Sequence, residues 1–431
     1  MKRVINKISG NLTWHSIICI FVMGVTDLSA QELKSITLEE CYTLAEKNYP
    51  LIIQKDLLTK ITEYILDNTG KGNLPQISFN GQVTYQSEVT QIPIDIPGME
   101  ISSLSKDQYK AYVDISQPLT EGRFINQQKQ LIEVKTSIEQ QKLEVDIYQL
   151  KDRVNQVYFG ILLLRQQIKQ VELLKKDIQS GLTKTNVAIA NGIALKSSAD
   201  ILKAELLKSD QRTIELNASL EGYIQMLTLL INQPLDENTL FQTPQAQPII
   251  NNIARPELKL FEVQQESLDL QREMVTTRKI PKVSLFLQGG YGKPGFNFLK
   301  NKFDFYYIGG IRFNWSLAGL YTSRNDRQLF DLNKSMISAQ KETFLYNTQL
   351  SLSRQESEIT KYDDLVDVDH QIIALYESIL TSYSAQLENG TITTNEYLTH
   401  LNAIDVARQN LVLHQAQLLM AQYNYKTTSG N

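Results

Sequence analysis

Cysteine is almost missing from this sequence, with only Cys19 and Cys41 in 431 residues. If the first thirty residues are removed as a leader, Cys41 stands alone and no internal disulfide can form. Histidine is as scarce. Beyond the leader only His370, His400 and His414 remain. Each lies in a helical pattern without metal-ligand spacing such as H-E-x-x-H, so a zinc-dependent enzyme has no support. Neither sign of charge dominates, with 43 basic against 47 acidic residues, and this argues against a nucleic-acid partner. Long apolar runs are absent too: no segment approaches the ~20 residues a membrane helix needs. The glycine groups Gly289-Gly290-Tyr291-Gly292 and Gly309-Gly310 lack the following helix and lysine of a phosphate loop. Within strands, such glycines accommodate curvature or close backbone approach. The acidic residues Asp363, Asp364, Asp367 and Asp369 are expected on a solvated helix face, not around a cation. With no catalytic constellation, neither an enzyme nor a cofactor is expected.

The start of the chain has an order of its own. Lys2, Arg3 and Lys7 precede an apolar run from Ile17 to Val25, followed by Leu28-Ser29-Ala30. Basic, apolar and then small residues are the pattern of a secretory signal peptide, here residues 1–30 with cleavage before Gln31. A retained anchor is the alternative, but the apolar run is too short to span a bilayer. No lipid-attachment signal surrounds either cysteine. Cys41 falls at a helix start, Leu38-Glu39-Glu40-Cys41-Tyr42, and is expected as a small buried hydrophobe.

The rest of the chain reads twice. Asn48-Tyr49-Pro50 opens a helical stretch ending at Leu74-Pro75, and Ala254-Arg255-Pro256 opens another ending at Ile280-Pro281. The offset there is about 206 residues; from Leu119 and Leu317 onward it is about 198. Asn191-Gly192 matches Asn389-Gly390 at that second offset. The first repeat covers 31–232: a helix, strands at about 76–87 and 108–117, a long helix over 122–190 and a return helix over 193–232. A linker fills 233–255. The second repeat covers 256–431, with a helix, strands at about 282–291 and 304–315, a long helix over 319–388 and a return helix over 391–428. The strands alternate. Ile77, Phe79, Val83 and Tyr85 share one face, as do Phe305, Tyr307, Phe313 and Trp315. Strands of about ten residues with one aromatic and one polar face suit a barrel wall between lipid and water. A soluble sheet with one buried face has the same period.

The long helices contain no proline and could each reach roughly 100 Å. Leu143, Leu150, Val157, Leu164, Val171 and Ile178 recur every seven residues, with Ile147, Val154, Ile161 and Ile168 between them. Leu345, Leu352, Ile359, Val366, Ile373, Leu380 and Leu387 repeat the pattern in the second half. So narrow a stripe packs helix on helix as a coiled coil. Four strands cannot close around a pore, and an open edge in lipid leaves backbone groups unpaired at several kcal/mol each. If these strands lie in a membrane, copies of the chain must share the barrel.

This duplicated order resembles the TolC-like outer-membrane factors. Leu38-Glu39-Glu40-Cys41-Tyr42-Thr43-Leu44-Ala45 with Asn48-Tyr49-Pro50 is similar to the family's opening L-x-E-A-x-x-x-A-x-x-x-N-P. Cys41 replaces the usual alanine, and Tyr49 interrupts the N-P pair. Pro75 and Pro281 match the proline before each first strand. Gly192 and Gly390 match the glycine at each long-helix turn. Asn395-Glu396-Tyr397-Leu398 and Ala421-Gln422-Tyr423-Asn424-Tyr425-Lys426 resemble the stretch after the second glycine and the closing helix.

The resemblance implies a mainly helical chain with four strands in a shared trimeric β-barrel. The homotrimer would be set in outer-membrane lipid, with coiled-coil helices reaching into the periplasm. It implies an exit duct for efflux, fed by a periplasmic adaptor (membrane fusion) protein and an inner-membrane pump. A duct for type I protein secretion is the alternative within the family. It also implies a periplasmic gate near the helix turns. Glu396 holds the sixth position after Gly390, where the family's type member has aspartate, and Thr399 holds the ninth, where it has another. In the first half Ser198 is sixth after Gly192, with Asp200 two further on. Glu396 has a plainer reading as a first-turn acid that complements the helix dipole. Two rivals come from other classes: a structural periplasmic coiled-coil protein, and an outer-membrane hydrolase, for which no histidine lies near the strands.

Overall fold

The computed structural model describes residues 35–90, 104–297 and 300–431. The leader expected over 1–30, with Cys19 and the cleavage site before Gln31, lies outside the described residues. β1 (Ser35–Ile36) leads into α1 (Leu38–Asn48). The start of α1 is written in the sequence: the Glu40 N–H donates to the Thr37 hydroxyl at 3.2 Å, and the Thr37 N–H donates to the Glu40 carboxylate at 2.8 Å. Each residue of this capping box satisfies an orphan donor of the other. Pro50 holds Tyr49 extended and ends the helix. Then α2 (Ile53–Gly70), β2 (Gln76–Tyr85), β3 (Asp107–Pro118) and α3 (Gly122–Tyr148) follow. α4 (Leu150–Ala190) and α5 (Lys196–Ile231) complete the first repeat. The linker contains β4 (Leu240–Phe241), paired in parallel with β1. The second repeat is α6 (Pro256–Thr277), β5 (Lys282–Lys293), β6 (Asp304–Asn314), α7 (Ala318–Glu388) and α8 (Thr394–Ser429).

One expectation is modified. The helix read as continuous over 122–190 divides at Gln149, whereas its counterpart α7 runs 71 residues unbroken. At the division the Gln149 N–H reaches the Val145 carbonyl at a long 3.3 Å. The neighbouring Tyr148 hydroxyl donates to the Thr427 carbonyl at 2.8 Å, tying this point to the end of α8. Nothing in the heptad pattern marks the position, because Leu143, Ile147 and Leu150 keep their spacing through it and form one small cluster.

β2, β3, β5 and β6 form one antiparallel sheet in that order. Among the described residues, β2 and β6 each have one free edge. The helices beside the sheet keep the same order: α2 packs on α3, α3 on α6, and α6 on α7. Farther along, the order becomes α5, α4, α8, α7. The expected seam fills these contacts. Val154, Ile161, Val171 and Ile178 are fully buried, and Leu352, Ile359 and Leu387 nearly so. One cluster joins Val154, Tyr158 and Ile161 to Leu227, Ile231 and Cys41; a second joins Ile178 and Leu202 to Leu401 and Ile404. Cys41 is fully buried, as its sequence context implies. Burial, aided by Glu40 and Glu39, pushes its thiol up to about 12.

Candidate functional site

The sheet has two unlike faces, and its register shows how the sequence makes them. One rung aligns Ile77, Ile115, Leu287 and Gly309; the next aligns Phe79, Val113, Gly289 and Tyr307. All these side chains lie on one face, since neighbours along a strand alternate. No described element covers it. Ile77, Phe79, Val83, Tyr85, Phe305, Tyr307, Phe313 and Trp315 are all exposed, Phe79 at 79% and Phe305 at 82%. A soluble sheet buries such a face, and an uncovered apolar surface of this extent needs a partner or lipid.

The opposite face carries Ser78, Asn80, Gln82, Lys110, Asp114, Gln288 and Arg312. Three aromatics, Phe286, Tyr112 and Tyr306, share it. Phe286 carries the Arg312 guanidinium 4.7 Å above its ring. Tyr112 and Tyr306 close over Gly290, where a Cβ would come within 2.6 Å of the Tyr112 Cβ. That position is the close backbone approach expected for the glycine group; Gly289 beside it meets nothing.

At the far end of the helices are the two turns. Gly192 and Gly390 have φ +71° and +69°, a left-handed conformation that costs other residues strain. Ile193 from the first turn lies against Gly390 of the second. Glu396, Thr399 and Asp200 are all exposed in this region. Their partners are local. Glu396 is the third residue of a capping box: its N–H donates to the Thr393 hydroxyl at 3.2 Å, and its carboxylate accepts the Thr393 N–H at 2.8 Å. That backbone bond holds its carboxyl below the usual carboxylate range. Asp200 accepts from Lys203 one turn away at 3.3 Å, and the Thr399 hydroxyl donates to the Asn395 carbonyl at 2.9 Å. No interaction within the chain joins the three.

The structure also assembles a group that sequence reasoning passed over. Arg408 of α8 bridges Asp177 of α4 at 3.1 Å and Glu377 of α7 at 3.2 Å. Tyr397 adds a bond from its hydroxyl to the Asp177 carbonyl at 3.3 Å. These residues tie the two repeats together above the turns. No sequence signal could have brought them to notice, because they are far apart in sequence and match no motif.

The acidic run needs correction. Asp363, Asp364 and Asp367 are exposed, but Asp369 is buried and meets His414 Nδ1 at 2.6 Å across the α7–α8 seam. It lies two residues beyond Asp367 and so on a different side of the helix, facing inward. His400 rests against the Tyr383 ring, 3.8 Å between centroids, and His370 is exposed. Among the described residues, no group of three or more His, Cys, Asp and Glu side chains could hold a metal ion, and no helix is long and apolar enough to cross a membrane.

Comparison with known proteins places this geometry. No model of a protein family matches the chain. No curated protein matches it either. Solved structures do. The outer membrane protein VceC of Vibrio cholerae is 12% identical with a TM-score of 0.66, over 91% of this chain and 96% of its own. The CmeC outer membrane channel of Campylobacter jejuni is 12% identical with a TM-score of 0.62, over 91% and 85%. The MtrE outer membrane channel of Neisseria gonorrhoeae, in its open state, is 12% identical with a TM-score of 0.62, over 91% and 89%. Matched over 91% of its length by these structures, the chain has the fold of the TolC-like outer-membrane channels.

Proposed function

We propose that this chain is one subunit of an outer-membrane exit duct, through which an export system passes substrates to the outside. The observation that carries the reading is the sheet: an uncovered apolar face, a polar opposite face and two free edges. Lipid is the environment that suits all three at once. Three copies of four strands would make a twelve-stranded barrel, wide enough for an aqueous lumen lined by the polar face. The helices then continue that lumen into the periplasm, and the duct itself carries out no chemistry.

The turn region suits docking by a periplasmic adaptor, behind which an inner-membrane pump supplies the energy. Val187, Ile193 and Leu195 are exposed apolar residues beside the turns, Leu195 at 75%, and offer the apolar centre such an interface needs. Glu396 and Thr399, with Asp200 on the first-repeat side, stand where a narrowing of the tunnel would gather them. Three Glu396 carboxylates around one axis would attract cations into the opening.

The test is deletion of the gene in the cell of origin, followed by fractionation and dye accumulation with the parent gene restored. The reading expects the protein in the outer-membrane fraction and more fluorescent efflux dye retained without it. Unchanged dye but loss of a secreted protein would turn the reading to type I secretion. Recovery in the soluble periplasmic fraction would overturn it.

A further inference from the structure

We infer that a cavity where the sheet meets the helices binds a phosphate group, with a membrane phospholipid as its nearest source. The inference rests on the outer-membrane reading above, which sets this junction at the lipid boundary, and adds a ligand site that a passive duct does not need. The cavity, about 100 Å³, lies between the segment joining β3 to α3 and the segment joining α6 to β5. It has room for several waters or for one tetrahedral oxyanion.

Two groups in its lining are left over by the fold. Thr277, the last residue of α6, is 6% exposed, and its hydroxyl has no partner among the described residues. A buried hydroxyl without a partner costs free energy, which a ligand that bonds to it recovers. Arg278 beside it is exposed, and its guanidinium also has no partner among the described residues. The other polar side chains are occupied. The Thr120 hydroxyl donates to the Pro281 carbonyl at 3.1 Å and accepts the Val283 N–H at 2.9 Å. Glu121, the one carboxylate in the lining, meets Lys282 at 2.9 Å. Arg278 is then the uncompensated charge, and the ligand it calls for is an anion. The start of α3 acts in the same sense. Its first bond runs from the Ile125 N–H to the Glu121 carbonyl, no side chain caps it, and it borders the cavity at Phe124. Open N–H groups at a helix start favour an anion. The end of α6 does not oppose this, because the Met274, Thr276 and Thr277 carbonyls accept the N–H groups of Arg278, Lys279 and Ile280.

Phosphate suits this set because its several oxygens can take a guanidinium, a hydroxyl and backbone N–H groups together. Ile280 and Pro281 give the cavity an apolar wall, which fits the glycerol end of a lipid. The level in the molecule agrees. Trp315, on the uncovered apolar face, donates its indole N–H to the Lys279 carbonyl at 3.0 Å, one residue from Arg278. A tryptophan with a polar partner at the end of an apolar strand face marks a boundary between lipid and water. The duplication shows that the fold does not require these residues. At the repeat offsets Thr120 corresponds to Ala318, Arg278 to Gly72 and Thr277 to Lys71, and Lys71 is bonded to Asp67 at 2.6 Å. The second junction therefore has no orphan hydroxyl and no free guanidinium at these places. The cavity also belongs to the two middle strands and helices, β3 with β5 and α3 with α6, away from the free edges of the sheet.

Native mass spectrometry of the detergent-extracted protein tests this, with dimyristoyl phosphatidylglycerol, dimyristoylglycerol and inorganic phosphate as probes. The parent should take up one phosphatidylglycerol per chain saturably, and far less of dimyristoylglycerol, which lacks the phosphate. Thr277→Val keeps the shape and removes the unpaired hydroxyl, so a purely structural threonine predicts unchanged or higher thermal stability and unchanged binding. The inference predicts that same stability with an affinity lower by about tenfold, and a loss of similar size for Arg278→Gln. Lys71→Gln, which removes the cation at the repeat counterpart of Thr277, should bind as the parent does. Equal uptake of dimyristoylglycerol, parent-like binding by both variants, or an equal loss in Lys71→Gln would overturn the inference. Binding of inorganic phosphate but not of the lipid, lost in Thr277→Val and Arg278→Gln, would uphold the site and make its source a soluble phosphate. A parent protein released without detergent would overturn the outer-membrane reading instead, and phosphate binding that both variants lose would still uphold the cavity.

Discussion

Ile359 lies in the middle of α7, only 8% exposed, among Leu352, Ala421 and Tyr425 with Leu418 at the margin. Replacing it with aspartate separates a packed seam from an incidental heptad. Loss of the buried side chain costs about 3 kcal/mol. An ionised carboxylate left in that apolar cluster without a partner costs about 3 kcal/mol more. The total, roughly 6 kcal/mol, is comparable with the whole stability of many domains. Ile359→Val is the control, since it keeps the shape and costs about 1 kcal/mol. The assay is trimer recovery on unheated gels together with limited proteolysis of the detergent-extracted protein. We expect Ile359→Asp to lose the trimer and be cut within α7 or α8, while Ile359→Val behaves as the parent. If both variants assemble and resist protease equally, Ile359 is not a seam residue and the α7–α8 packing is misassigned.

Other outcomes follow from the same geometry. Phe79→Lys should cost about 2–4 kcal/mol of barrel stability by placing a charge on the lipid side, whereas Asn80→Lys, facing the other way, should cost almost nothing in a heat-modifiability assay. Gly192→Ala should lose about 1 kcal/mol from its left-handed backbone alone. Gly390→Ala should lose more in thermal unfolding, because its new methyl also meets Ile193 at 2.5 Å. Cys41 should resist iodoacetamide at neutral pH in the folded protein and react only after denaturation, since its thiol is pushed up to about 12. The Glu396 cap has a definite sign: its carboxyl is lowered, so the cap is intact above the usual carboxylate range and is lost as pH falls through its folded value. Cation selectivity of the reconstituted channel should therefore titrate below the usual carboxylate range and be weakened by Glu396→Gln. A midpoint above that range would mean repulsion within a Glu396 ring outweighs the cap.

Much of this fold is legible because it is periodic. A stripe every seven residues gives the long helices, alternation gives the strands, and proline and glycine mark the ends of both. Thr393 and Glu396 carry a capping box that can be read directly, as do Thr37 and Glu40. What escapes the sequence is contact between distant segments. Beside the interruption at Gln149, the Tyr148 hydroxyl donates to the Thr427 carbonyl, far along the chain. Asp369 carries the same charge as its exposed neighbours, and only its position opposite His414 makes it an inside residue. Arg408, Asp177 and Glu377 belong to three helices, and no spacing rule joins them. The candidate gate shows the converse. Glu396 is easy to single out, but within one chain its carboxylate serves its own helix, and any further role depends on copies around an axis.

Electron cryomicroscopy of the protein in lipid nanodiscs tests the central claim most directly. The account predicts three copies around one axis and a single closed barrel in the lipid, with β6 of each copy beside β2 of the next. The helices should extend from one side as a continuous tunnel. A single copy whose four strands fold against its own helices, or a particle that does not enter the nanodisc, would contradict it.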